Sequence, residues 1–183
     1  TLIAEAHSHG SRVELCLHCN SGCSLPPHGR GTQEWGQYPW RNLESPGVAE
    51  ERAAEIATFA IDRGFDGVNL DVEWPLGAHD VATAPTPSAN AALVNFTCAL
   101  KRELSSLAVG ASVSFASDMV PCMGLEQSCY AYKELASCVD YFIAMGYDLN
   151  VSPDREKFRF AGANAPRATL LHGLSLWAEL GVQ

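Results

Sequence analysis

Four short runs of strand-type residues, each followed by a helical stripe, constrain this chain more than any other feature of its sequence. Residues 12–19 (RVELCLHC), 67–73 (GVNLDVE), 111–116 (ASVSFA) and 140–147 (DYFIAMGY) alternate or cluster apolar side chains as strands do. Helical periodicity fills the gaps: 47–63, introduced by Ser45 as cap and Pro46 in the first turn and closed by Gly64; 89–108; a short helix over 130–137; and 167–180. Strands separated by helices pair in parallel through right-handed crossovers. A doubly wound sheet and part of an eightfold barrel both fit that order. No Gly-x-Gly-x-x-Gly follows any strand, which removes the main support for a nucleotide-binding sheet. Polar residues gathered at the strand ends favour the barrel, whose chemistry collects at the carboxyl ends of its strands. The predicted class is therefore α/β, a (β/α)8 TIM barrel, in part: a whole one takes about 250 residues, and four strands cannot close it.

The 183 residues suffice for one domain, and 47% hydrophobic against 18% charged residues excludes a disordered chain. A net charge of −9 with no Lys/Arg cluster argues against nucleic acid and anionic lipid as partners. No run of eighteen apolar residues is present to span a membrane. The chain begins at Thr1 and ends at Gln183 without a signal segment or polar tail, and it reads as an internal piece of a longer protein. Four strands alone would leave raw sheet edges, so the isolated piece is expected to fold poorly and be inactive.

Seven cysteines point to an oxidising compartment. The triplets Asn95-Phe96-Thr97 and Asn150-Val151-Ser152 agree with a secretory route and a glycoprotein. Cys16, His18, Cys19 and Cys23 invite a zinc reading, but no second pair follows at finger spacing, and within a strand Cys19 points away from Cys16 and His18. No metal and no cofactor is expected.

The richest stretch is Asp66-Gly67-Val68-Asn69-Leu70-Asp71-Val72-Glu73. Alternation sends Val68, Leu70 and Val72 toward covering helices and Asn69, Asp71 and Glu73 into the barrel. Same-face neighbours lie roughly 7 Å apart. Two carboxyls that close resist double ionisation, so one should hold its proton to higher pH, as a general acid requires. A solvated strand end with ordinary acids would show the same spacing. Asp66, on the other side of the strand, is expected to support the turn.

This stretch resembles the signature of glycoside hydrolase family 18, the chitinase family, whose pattern is Asp-Gly-x-Asp-x-Asp-x-Glu on the fourth barrel strand. It departs at Asn69, where most members have Asp, and Asn there is a feature of the di-N-acetylchitobiase branch. Met145-Gly146-Tyr147-Asp148 resembles the family's Met-x-Tyr-Asp ending the sixth strand, and residues 6–13 (AHSHGSRV) resemble the approach to the third strand of that branch. Ala163-Asn164-Ala165-Pro166 recurs beyond its sixth strand. The resemblance makes residues 1–183 a partial catalytic domain holding barrel strands three to six. It also implies a disulfide between Cys129 and Cys138, and a lysosomal or secreted location.

The implied reaction is hydrolysis of β-1,4 N-acetylglucosamine linkages, in chitin oligosaccharides or the chitobiose core of N-linked glycans. It proceeds with retention through the substrate's own acetamido group, an exception to the two-carboxylate scheme. Glu73 would be general acid and then base, Asp71 would bond the acetamido N–H, and Tyr147 the acetamido oxygen. Asn69 can bond Asp71 but cannot share a proton as a carboxyl does. Met145 shares a face with Tyr147 and either floors the sugar site or packs as core. Asp148 is placed to contact a substrate hydroxyl, and Trp74 to stack on a sugar; Asp118, at the end of the third run, is a further rim candidate, as are Trp35 and Trp40 on the long loop. Trp177 reads as core, and His7, His9, His28, His79 and His172 as surface or packing residues. The partner is an N-acetylglucosamine oligosaccharide. Competing readings are a catalytically inactive chitinase-like carbohydrate-binding protein, disfavoured by the presence of Glu73, Asp71 and Tyr147, and an endo-acting chitinase.

Overall fold

A computed structural model of the chain describes residues 1–19, 42–72, 87–121, 130–147 and 163–181. Its elements are α1 (Leu2–Ser8), β1 (Glu14–Cys19), α2 (Val48–Asp62), β2 (Gly67–Val72), α3 (Pro87–Leu107), β3 (Ser112–Asp118), α4 (Tyr132–Leu135), β4 (Tyr141–Met145) and α5 (Arg167–Leu180). The strands form one parallel sheet in the order β1-β2-β3-β4, each paired with its neighbour in sequence. Sequential parallel order with intervening helices is how a (β/α)8 barrel is laid down, and the four units are consecutive ones of that architecture.

Three differences from the sequence reading have local causes. Helix α1 was not expected; it is seven residues long with no buried side chain, so no apolar stripe announces it. Its one signal is Thr1, whose hydroxyl accepts from the Ala4 N–H at 3.3 Å. Ser45 does not cap α2. The Ser45 N–H donates to the Asn42 carbonyl, its own carbonyl accepts from Val48, and the helix starts after Gly47 in the left-handed region. Strand β1 starts at Glu14 rather than residue 12, because the Val13 N–H donates to the Asp66 carboxylate at 2.7 Å and Arg12 to the carbonyls of Asp66 and Gly110.

The far end of α2 is as the sequence implies. Gly64 takes φ +85°, the Phe65 N–H returns to the Ala60 carbonyl and the Gly64 N–H to that of Ile61, a pair of bonds that satisfies the last turn.

Outward side chains build the core. Val68, Leu70 and Val72 of β2 and Val113 and Phe115 of β3 are buried against α2 and α3. Ala53, Ala57 and Ala60 recur at helical spacing on α2 and are fully buried, so small side chains bring that helix close to Leu93, Phe96, Leu100 and Leu104 of α3. Each large side chain so buried contributes about 1.5–3 kcal/mol. A second cluster packs Tyr130, Tyr132, Phe142 and Trp177 beside Phe115, in edge-on pairs apart from the tilted contacts of Phe142 with Phe115 and Trp177, and the Trp177 indole N–H donates to the Met119 carbonyl at 3.1 Å, so Trp177 is core as expected. The Asn95 triplet lies within α3, with Asn95 exposed and Thr97 buried, its hydroxyl donating to the Leu93 carbonyl. The second triplet lies outside the described residues. No described helix is long and apolar enough to cross a membrane.

The disulfide implied between Cys129 and Cys138 is not the one formed. Cys138 pairs with Cys98, their Cα atoms 4.6 Å apart, because α3 carries Cys98 against the turn that follows α4. Cys129 lies outside the described residues. The bridge spans a sequence separation of 40 and ties α3 to the entry of β4. Cys98→Ser should therefore lower unfolding stability by about 2–4 kcal/mol in denaturant melts under oxidising conditions. Under reducing conditions the difference from wild type should vanish.

Candidate active site

Parallel pairing in register puts side chains of matched residues on one face. On the inner face the first level holds Glu14, Gly67 and Ser112; the second holds Cys16, Asn69, Ser114 and Tyr141; the third holds His18, Asp71, Ala116 and Ile143. Asp118 and Met145, matched at the carboxyl ends of β3 and β4, come next, with Tyr147 just beyond.

The lower two levels are a closed hydrogen-bond system. Both oxygens of the Glu14 carboxylate accept hydroxyls: Oε1 from Ser112 and from Tyr141 at 2.8 Å, Oε2 from Ser114 at 2.6 Å. Ser112 also accepts from Arg12 at 3.0 Å, and Ser114 from the Asn69 amide at 2.8 Å. Burial first, and the adjoining Glu14 carboxylate second, push the Tyr141 phenol up. Glu14 reaches β3 by crossing β2 at Gly67, its register partner. A Cβ on Gly67 would collide with the backbone carbonyl and hydroxyl of Ser112. The glycine of the Asp-Gly pair is thus required by close approach, not by a turn.

Asp66 plays the supporting part expected of it. Its carboxylate accepts from the Val13 N–H and lies 2.8 Å from His7 Nε2. The Val13 bond is the main reason its acidity is strengthened below the ordinary value of 3.8; partial burial opposes this, and His7 and Arg12 add to it. It joins α1, β1 and β2 at the amino ends of the strands and takes no place on the inner face.

At the third level the geometry opens. Asp71 Oδ2 lies 2.8 Å from His18 Nδ1 across the β1–β2 pair. Asp71 Oδ1 is buried and has no hydrogen-bond partner among the described residues. Asn69 lies on the same face, but its observed bond runs down to Ser114 rather than up to Asp71. Tyr147 is 53% exposed, and Met145 is half-buried. Asp118 is exposed at the end of β3. Glu73, Trp74 and Asp148 lie outside the described residues, as do Trp35, Trp40, His28 and His79.

Two contributors were not singled out from sequence. In sequence His18 suggests only a metal ligand; its position at the end of β1, on the face shared with Cys16, is the available signal. In sequence Tyr130 marks only the start of a short helix. Its hydroxyl donates to the Val72 carbonyl at 3.1 Å and so pins β2 one residue before Glu73. Its buried phenol is raised well above the ordinary range. Among the described residues no three His, Cys, Asp or Glu side chains are grouped to hold a metal ion.

Two substitutions test this lower frame. Gly67→Ala should destabilise by about 1–3 kcal/mol in chemical melts, as overpacking against a backbone carbonyl does. Asp66 has a folded pKa below its unfolded one, so its contribution is complete above the ordinary value of 3.8 and is lost as pH falls through the lower folded value. Asp66→Asn should be less stable than wild type at pH 7, with the gap closing below about pH 4 in acid titrations of the melting temperature.

The chain is 30% identical over 81% of its length to probable di-N-acetylchitobiase 2 of Dictyostelium discoideum. It is 26% identical over 99% of its length to the di-N-acetylchitobiase of Rattus norvegicus. It spans 36% and 41% of those two proteins. Its fold matches that of Ostrinia furnacalis Group IV chitinase, solved with allosamidin, at a TM-score of 0.70 and 18% identity, over 98% of this chain and 46% of the other. No protein-family model matches. The acidic strand, the parallel register and these likenesses converge: the chain carries four consecutive units of a chitinase-family barrel, chitobiase-like in sequence.

Proposed function

We propose that the protein containing this chain hydrolyses β-1,4-linked N-acetylglucosamine units, as in the chitobiose core of N-linked glycans or chitin oligosaccharides, with retention and with the substrate's acetamido group as nucleophile. The observation that carries the reading is Asp71, an inward carboxylate near the carboxyl end of β2, set in the Asp-Gly-x-Asn-x-Asp-x-Glu stretch with one oxygen fixed by His18 and the other uncommitted. By strand alternation Glu73 is expected on the same face.

In the proposed reaction Glu73 protonates the glycosidic oxygen while the acetamido oxygen attacks the anomeric carbon. The bond to the leaving sugar breaks and an oxazolinium ion forms. Glu73, now a carboxylate, takes a proton from water as that water opens the ring. Asp71 accepts the acetamido N–H and offsets the positive charge that develops there. Tyr147 donates to the acetamido oxygen and aligns it; positioning a built-in nucleophile this way removes several kcal/mol of barrier. Met145 floors the sugar, Trp74 stacks on it and Asp148 contacts a hydroxyl, while Asn69, bonded to Ser114, backs the site from the level below. The domain is a part of the catalytic barrel, and the names of the two relatives favour a chitobiose-splitting activity over an endo-acting one. A bridge such as Cys98–Cys138 suits a secretory or lysosomal compartment.

The test is turnover of a chromogenic chitobioside by the full-length protein. Glu73→Gln should lower kcat by about 100-fold or more. Equal turnover by wild type and Glu73→Gln, or none by either, would overturn the reading. Asn69→Asp, which places a second carboxyl below Asp71, should move the pH optimum; an unchanged pH–rate profile would remove Asn69 from the mechanism.

A further inference from the structure

We propose that His18 is the positioning residue for Asp71, supplying from the neighbouring strand a hold that Asn69, bonded to Ser114 one level below, does not give. This rests on the function proposed above for Asp71. Three observations lead to it. First, Asn69 is engaged elsewhere: its amide donates to Ser114, whose hydroxyl donates on to Glu14, so Asn69 belongs to the closed lower system. Second, Asp71 is met from the side: His18 is its register partner on β1, and Nδ1 lies 2.8 Å from Oδ2. Third, this contact leaves Oδ1 buried and without a partner among the described residues. A carboxylate tied through one oxygen keeps the second as acceptor for an incoming N–H, in a fixed orientation.

The pair matters because a carboxylate that receives an amide N–H through one oxygen has to present that oxygen in a set direction. With Nδ1 as donor, the imidazole satisfies one oxygen and fixes the carboxyl plane. An Asn at this position also carries a nitrogen donor on Cγ, where the imidazole carries Nδ1, so it can make the same bond without a ring or a charge. Alanine cannot. The two substitutions therefore separate loss of the bond from loss of the imidazole.

In the full-length protein with a chitobioside substrate, His18→Ala should lower kcat about tenfold to a hundredfold with KM changed less than about twofold, and His18→Asn should recover most of that loss. Wild-type kcat in His18→Ala, or a His18→Asn variant as slow as His18→Ala while both melt as wild type does, would overturn the proposal. If the wild type itself fails to turn over, the functional reading falls and the pairing is judged separately. Nitrogen-15 spectra should then show a His18 Nδ1 proton signal that disappears in Asp71→Ala, and a signal that is absent from wild type or persists in that variant would overturn it.

Discussion

A single carboxylate placed where a side chain is missing organises the inner face of this sheet. Glu14 crosses β2 over the bare Cα of Gly67 and collects hydroxyls from β3 and β4. Three donors satisfy it without a formal counter-charge among those bonds, and Arg12 stands one hydroxyl away at Ser112. Charged acceptors bound by several donors hold their neighbours more firmly than neutral pairs do. Four parallel strands that share only edge hydrogen bonds could shear along their length. Side-chain bonds that skip a strand resist that motion, because sliding any one strand by a residue turns its polar set to the opposite face.

The upper level depends on this frame. Ser114 gives its proton to Glu14 and accepts from Asn69, so the orientation of Asn69 is set from below. Asp71, one level up, then finds its partner across the strand gap in His18. On the opposite face Tyr130 pins the Val72 carbonyl and Tyr132 bonds Ser117 at 2.7 Å, so the carboxyl ends of β2 and β3 are braced from outside as well. Burial raises both phenols far from ionisation, which keeps each of them a hydroxyl at any pH the protein meets.

The strand and helix order was legible because outward side chains follow two plain periods: alternating on β2, and at helical spacing on α3. The inward polar row Asn69–Asp71 was legible for the same reason. What escaped involved contacts between distant residues. Glu14 gives no local sign that its carboxylate serves Ser112, Ser114 and Tyr141, since that depends on register across four strands. The partner of Asp71 likewise depends on register, and His18 looks idle in its own strand. The pairing of Cys138 was misjudged because nearness along the chain suggested Cys129, whereas helix packing brings Cys98, much farther away in sequence, to it. Helix α1 escaped because it buries nothing.

The division of the inner face into a saturated lower part and an open upper part bears on how such a sequence can diverge. Changing Glu14, Gly67, Ser112 or Ser114 disturbs several bonds at once, so neutral drift there requires coordinated exchanges. His18 and Asp71 share one bond with each other, and Asp118 and Tyr147 are exposed at the rim. The His18–Asp71 bond does not run to Glu14 or to its three donors, so an exchange of that pair leaves the lower set of bonds in place. A change at position 69 is of another kind: bonded to Ser114 and one level beneath Asp71, it would reach the frame itself.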